Sequence, residues 1–167
     1  MAIVLIRVDE RLIHGQVVVG WGGFLGAQRY AVVDDDLAGS RWEQELYELA
    51  LPEETTLAFV DRDHAGPLLA EWSGQPEPAV VLTRDLSTVR ALVERGDLAG
   101  EAVNLGGLHA APGRRTVLPY LHLSETQVSD LAWLLEHGVD VYAQDVPGGS
   151  RVRGDALLRK GKAAWTR

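Results

Sequence analysis

Between Arg7 and Val17 the chain reads Arg-Val-Asp-Glu-Arg-Leu-Ile-His-Gly-Gln-Val, placing two arginines, a histidine and a glycine within nine residues. Each of these types suits the handling of a phosphoryl group. A neutral imidazole is a nucleophile available near pH 7, because its reference pKa is about 6.5. Gly15 lets a bulky dianion approach the backbone without a side chain in the way. Arg7 and Arg11 can offer forked hydrogen bonds to phosphate oxygens. Asp9 is placed to hold an arginine or an imidazole N–H, and Gln16 adds a polar side chain where a helix would begin. A plainer reading of the same residues pairs Arg7 and Arg11 with Asp9 and Glu10 in a solvated loop. No Gly-rich P-loop is present, so an ATP-dependent kinase is not suggested.

The elements that must position this loop are legible as alternating apolar and amphipathic stretches. Strands are expected at Ala2 to Val8, Arg29 to Val33, Thr55 to Val60, Ala79 to Leu82, Ala102 to Leu105 and Val139 to Ala143. Helices are expected through the run VVVGWGGFL, over Trp42 to Leu51 (with Trp42, Leu46, Leu49 and Ala50 on one side), Pro67 to Trp72 and Leu86 to Arg95, and from Ser124 to Gly138. Ser124 followed by Gln127 is a capping-box pattern, and Gly96 and Gly138 are natural left-handed helix ends. Strands alternating with helices predict an α/β fold: a single domain over residues 1–167, with an open, mainly parallel, doubly wound sheet and helices on both faces. In such sheets ligands bind outside the carboxyl ends of the strands, which is where the Arg7–Val17 loop must lie. The helix starting near Gly15 would turn free N–H groups and the positive end of its dipole toward an anion.

Composition narrows the function classes. The 167 residues suffice for one domain with a core. Cys is absent, which excludes disulfides and thiol chemistry. A net charge of -8 argues against nucleic-acid binding, which needs clustered Lys and Arg, but leaves room for a local cationic pocket. The short apolar start, MAIVLIRVDER, is neither a signal peptide nor a membrane span, and the expected location is cytoplasmic. His64, His109, His122 and His137 are scattered without metal-ligand spacing, so no metal and no cofactor are expected. Asp34 to Asp36 are read as helix N-terminal acids rather than a cation site. The five tryptophans are read as core or interface anchors, with Trp21 packed behind the loop.

The Arg7 to Val17 motif followed by Trp21 closely resembles the signature of the mannose/fructose/sorbose-family enzyme IIB of the bacterial sugar phosphotransferase system (PTS). The resemblance continues through Val32-Val33-Asp34-Asp35, Val89 to Gly96, Val103-Asn104-Leu105-Gly106-Gly107-Leu108, Gly113-Arg114-Arg115, Leu123-Ser124-Glu125 and Gly138-Val139-Asp140-Val141. It implies that His14 accepts a phosphoryl group from a phosphohistidine on enzyme IIA and passes it to a hexose-type sugar held by the membrane components IIC and IID. The protein would then lie at the permease, peripheral to the membrane. Arg11 corresponds to an arginine near the phosphohistidine. Arg7, Gly15 and Gln16 are expected as phosphate ligands, with Asp9 orienting, and a homodimer is permitted. Thr83 and Arg84 are expected to reach the phosphate from the next loop, against a plain role in starting a helix. There Leu86 departs from the family pattern, in which an Asn-Pro or Asp-Pro pair is frequent. Gly106-Gly107 reads as a tight backbone beside the site or as a structural turn. No role is assigned to the C-terminal stretch GGSRVRGDALLRKGKAAWTR. Two further readings stay open at this point: a regulatory protein that kept the fold and the histidine but not transport, and an anion-binding protein whose His14 is never phosphorylated.

Overall fold

In a computed structural model of the protein, every residue is described except Met1, Ala99 and Arg167, so the two ends of the 1–167 span lie outside the described residues. Seven strands form one sheet: β1 (Ile3–Val8), β2 (Arg29–Val33), β3 (Thr56–Val60), β4 (Ala79–Thr83), β5 (Val103–Leu105), β8 (Val141–Ala143) and β9 (Val152–Arg153). Their spatial order is β3-β2-β4-β1-β5-β8-β9, and every pair is parallel except the β8–β9 edge. Burial of all five residues in both β2 and β4 explains why they read as uninterrupted apolar runs.

The chain moves along the sheet in both directions, and this decides where each helix lies. Right-handed crossovers send elements that follow leftward and rightward moves to opposite faces. One layer holds a π-helix (Gln16–Gly22) continuing into α1 (Gly23–Leu25), then α2 (Asp35–Ala38) and α3 (Arg41–Glu48). Its core joins Leu5, Val32, Val80 and Leu82 of the sheet to Leu12, Ile13, Val17, Trp21 and Leu37. The other layer holds α4 (Ala65–Ser73), α5 (Leu86–Glu94), α6 (Glu125–Glu136) and α7 (Gly154–Trp165) over a larger core that includes Leu69, Val89, Leu92, Leu131, Leu134 and Leu157. Because β1 and β4 send their crossovers to different faces, the carboxyl edge of β1 is a topological switch point. The Arg7–Val17 loop leaves from there.

Local signals act as their chemistry requires. Asp34 caps α2 by accepting from Leu37 N at 2.9 Å, and Asp85 caps α5 by accepting from Thr88 N at 2.9 Å. The Ser124–Gln127 capping box is complete, and Gly96 and Gly138 adopt φ of 77° and 78°. Leu86 occupies the first position of α5 and is fully buried, so a residue that replaces a frequent proline still starts the helix.

Four features differ from the sequence expectation. The first helix is wound as a π-helix over its first seven residues, with Val17 N and Val18 N both donating to the His14 carbonyl at 3.1 and 2.9 Å. An antiparallel hairpin of β6 (Arg114–Leu118) and β7 (Leu121–Ser124) precedes α6. The unassigned C-terminal stretch forms β9 and α7, whose Leu157 enters the large core. Finally, α2 (Asp35–Ala38) forms a separate short helix ahead of α3, where the sequence predicts only the helix over Trp42 to Leu51. Of the tryptophans, read as core or interface anchors, Trp21 and Trp72 are buried and Trp42 is exposed. No helix among the described residues is long and apolar enough to cross a membrane.

Replacing Ser124 with Ala removes one half of the capping box. The expected loss is about 1 kcal/mol of unfolding free energy, read as a lowered urea midpoint at unchanged m-value.

Candidate active site

The site is built around one carboxylate. Asp9 follows directly on β1 and is fully buried. Its Oδ2 accepts from Arg7 Nε at 3.3 Å and Nη2 at 3.1 Å, from Arg11 Nη2 at 3.1 Å, and faces His14 Nε2 at 3.3 Å. Its Oδ1 accepts from Arg11 N and Arg11 Nε, each at 3.1 Å. Burial alone would push this carboxyl up. Hydrogen bonds from His14 and Arg11 and the charge of Arg7 outweigh it and hold Asp9 well below the usual carboxylate range. An ionised carboxylate only accepts, so His14 Nε2 carries the hydrogen, and in the neutral imidazole the lone pair then sits on Nδ1.

Arg7 was expected at the phosphate, and the structure corrects this. The residue is fully buried beneath the loop and spends all five of its N–H donors on protein acceptors. Nε and one Nη2 hydrogen go to Asp9, and the other Nη2 hydrogen goes to the Asp145 carbonyl at 3.1 Å. The Nη1 hydrogens go to Asn104 Oδ1 at 2.5 Å and the Gln144 carbonyl at 3.0 Å. Desolvation lowers the guanidinium pKa and Asp9 opposes that shift. Arg7 thus ties β1 to the ends of β5 and β8 and presents a fixed charge to Asp9. Trp21 closes the arrangement from behind, 5.4 Å under the guanidinium, and donates its Nε1 to the Asp145 carbonyl at 3.1 Å.

Arg11 is the exposed counterpart. Its side chain is 37% exposed, and Nη2 also donates to Gln16 Oε1 at 2.7 Å. Among the described residues, the two Nη1 hydrogens have no protein partner, so this is the guanidinium with donors to spare. Gln16 is brought to the cluster through Arg11. Gly15 takes the cap position of the π-helix, and no side chain there bonds the helix N–H groups.

The loop needs unusual backbone to bring these groups together. Leu12 adopts φ of 55°, in the left-handed region, while completely buried. Such a residue costs about 1–2 kcal/mol and persists only where packing over-determines it. Here the Leu12 N–H donates to the Asp9 carbonyl at 3.0 Å and the side chain is locked in the smaller core. A methyl at Gly106 would sit on the Arg7 guanidinium, and one at Gly107 would lie 3.1 Å from Arg11 Nη2. The Gly106-Gly107 pair is therefore the space that both arginines occupy.

Thr83 and Arg84 meet the site differently from expectation. Thr83 is buried and its carbonyl accepts from Asp9 N at 2.9 Å, while its hydroxyl lies 3.5 Å from the Asp85 N–H. The Arg84 Nε faces Asp34 Oδ1 at 3.7 Å. Among the described residues, neither side chain hydrogen-bonds the Arg7–Gln16 loop. Glu10, read from the sequence as a partner for Arg7 or Arg11, instead pairs with Arg114 and holds His109 Nδ1 at 3.4 Å, fastening the segment before β6 to the loop. Asn104, a polar residue in the middle of a fully buried strand, was the signal that β5 carries a site residue. The Gln144 and Asp145 carbonyls carry no such signal.

Arg7, Arg11 and Asp9 together leave one net positive charge beside His14, in a chain whose net charge is -8. That pattern suits a transiently held anion.

Comparison with known proteins adds an independent line. The family model described as the PTS system sorbose subfamily IIB component matches residues 3–166. The N-acetylgalactosamine-specific phosphotransferase enzyme IIB component 1 of Escherichia coli is 33% identical over 153 residues, covering 89% of this chain and 94% of the relative. The fructose-specific EIIB component of Bacillus subtilis is 26% identical over 147 residues, covering 88% and 90%. Among solved structures, the E. coli N-acetylgalactosamine-specific IIB component 1 superposes with a TM-score of 0.82 at 30% identity, covering 90% of this chain and 97% of that one. The IIBSor domain of the Klebsiella pneumoniae sorbose permease gives 0.85 at 26% identity, covering 98% of both.

Asp9→Asn should destabilise the fold by about 3–5 kcal/mol, because it leaves the Arg7 charge buried without its counter-ion. The folded-state pKa of Asp9 is depressed, so its contribution is complete above the unfolded carboxylate value of about 3.9 and is lost as pH falls below that. Unfolding free energy measured from pH 7 to pH 2 should therefore fall less steeply below pH 4 in the variant than in the parent.

Proposed function

The chain belongs to the sorbose subfamily of PTS IIB components, and from that premise we propose that it is a histidine phosphocarrier with His14 as the phosphoryl acceptor. The observation that carries this reading is the Asp9–His14 contact, with Nε2 held 3.3 Å from a buried, ionised carboxylate. A neutral ring fixed in that way has its nucleophilic lone pair on Nδ1.

The donor is a phosphohistidine on enzyme IIA. His14 Nδ1 attacks phosphorus in line, the N–P bond of the donor breaks, and its electron pair returns to the donor imidazole. Positive charge develops on the His14 ring as Nδ1 bonds phosphorus, and the fixed anion of Asp9 stabilises it. The spare Nη1 hydrogens of Arg11 then face the transferred oxygens, where preorganised donors contribute most of the catalysis of phosphoryl transfer. Gly15 and Gln16 line the approach to the same group. Arg7 acts through Asp9, as a positioning residue.

In the second transfer a sugar hydroxyl oxygen bonds phosphorus, the N–P bond breaks with its electron pair returning to Nδ1 of His14, and the hydroxyl proton leaves to water. The recipient is a hexose-type sugar at the membrane components IIC and IID. Relatives named for N-acetylgalactosamine, fructose, sorbose and mannose match this chain at 26–33% identity, consistent with one carrier chemistry serving several hexoses. The mannose-specific relative of E. coli is an EIIAB component of which this chain covers 49%, so donor and carrier are joined in that protein. A carrier that meets a soluble donor and a membrane recipient works in the cytoplasm at the permease.

Incubation with phosphorylated IIA should give one acid-labile phosphate per chain. His14→Ala should abolish it, and Arg11→Ala should slow labelling by about 100–1,000-fold, the loss typical for one transition-state donor. Undiminished labelling of the His14→Ala protein contradicts the assignment.

A further inference from the structure

The two helix layers differ sharply in what they leave uncovered. Five large apolar side chains stand more than half exposed: Val19 (77%), Phe24 (72%), Trp42 (67%), Leu46 (58%) and Leu49 (83%). All five belong to the layer that carries His14, on the π-helix, α1, and α3 with the residue that follows it. Among the described residues, helices α4 to α7 expose no comparable side chain. Exposed apolar side chains gathered on one layer mark an interaction surface.

Three of the five, Trp42, Leu46 and Leu49, lie on α3 or directly after it. The inner contact of α3 is Tyr47 packed on Phe59, ring centroids 6.3 Å apart, and none of its residues is buried. A groove of about 320 Å³ runs along it, lined by Ile13, Trp42, Glu43, Leu46, Tyr47 and Ala50. Ile13 precedes His14 in the chain, so the groove abuts the proposed phosphoryl site. The surround is acidic: residues 41–54 hold five glutamates and one arginine, a net charge of -4, which is half the charge of the whole chain.

We propose that this face docks the cytoplasmic loops of the membrane component that receives the phosphoryl group, an inference that rests on the carrier reading above. Charge selects the occupant. Cytoplasmic loops of integral membrane proteins carry an excess of Lys and Arg, which complements an acidic rim around an apolar centre. The anionic lipid surface repels the same rim, so contact is with the protein and not with the bilayer. A second copy of this chain would bring glutamate against glutamate. Seating the loops on α3 sets His14 at the mouth of the permease through Ile13, while Trp42 and Leu46 supply the desolvated anchors that interfaces concentrate.

The test uses inside-out vesicles bearing the IIC and IID components of the protein's own system, and the full-length chain phosphorylated beforehand. Sugar phosphorylation is followed as the carrier concentration is varied, and cosedimentation is measured with these vesicles and with empty vesicles of the same lipid. The apolar variant Trp42→Ser/Leu46→Ser should raise the half-saturating carrier concentration tenfold or more at an unchanged plateau rate. The charge variant Glu43→Lys/Glu48→Lys should shift it in the same direction and flatten its salt dependence. Both variants should be labelled by phosphorylated IIA at the parental rate, and the parent should not sediment with empty vesicles. Slowed labelling with unchanged vesicle saturation would assign the face to the donor. Loss of a concentration-dependent dimer with unchanged vesicle saturation would assign it to a second copy. Either result, or no change in any readout, overturns the proposal. Failure of the parent to be labelled at all would instead contradict the carrier reading, and cosedimentation with the IIC/IID vesicles would still report on the docking face.

Discussion

A carboxylate buried without solvent costs several kcal/mol unless donors surround it, and Asp9 is surrounded on both oxygens. Much of the structure near the site follows from meeting that demand. Arg7 must be buried with it, and its five N–H donors all need partners: Asp9 takes two, and β5 and the end of β8 take the other three. Gly106 must lack a side chain so that the guanidinium fits. Leu12 must accept a left-handed backbone so that the loop can turn back and bring His14 over the carboxylate. Removing any one of these leaves a charge or a polar group stranded, so the cluster holds His14 in one place and one tautomer.

The sheet makes this possible because its carboxyl edge gathers residues that are remote in the chain. Arg7 reaches Asn104, 97 positions away, and the Gln144 carbonyl, 137 positions away. Strands β1, β5 and β8 lie side by side at the switch point, so three loop starts meet under one histidine. The layer following that histidine also carries the exposed apolar side chains and much of the negative charge. Chemistry and docking are thereby concentrated on one side of the sheet, and the α4–α7 layer with its larger core serves as the rigid backing.

The loop itself was legible in the sequence, because Arg7, Asp9, Arg11, His14 and Gly15 are neighbours and follow an apolar strand. The doubly wound fold was legible for a similar reason: fully buried strands such as β2 and β4 read as short apolar runs, and capping residues such as Asp34, Asp85 and Ser124 punctuate them. What escaped has physical causes. The β6 strand is half solvated along its length, so it lacks the apolar pattern of a central strand. The division of labour between the two arginines depends on acceptors across the sheet, two of them backbone carbonyls that any residue provides. From spacing alone Arg7 and Arg11 look equivalent, yet one is sealed in with all donors used and the other faces solvent. The helix pattern of Trp42, Leu46 and Leu49 gives a shared side correctly but not its direction, because a stripe facing a partner has the same period as one facing a core.

With His14 as the proposed phosphoryl acceptor, Asp9 fixes the ring tautomer and thereby chooses the nitrogen that takes the group. Nitrogen-15 and phosphorus-31 NMR of the phosphorylated protein, with labelled histidine, reads that choice directly. Phosphorus coupled to Nδ1 of His14, with a protonated Nε2 hydrogen-bonded to Asp9, is the predicted result. Phosphorus on Nε2 would contradict the account, since that nitrogen would have had to leave the carboxylate on which the rest of the site is built.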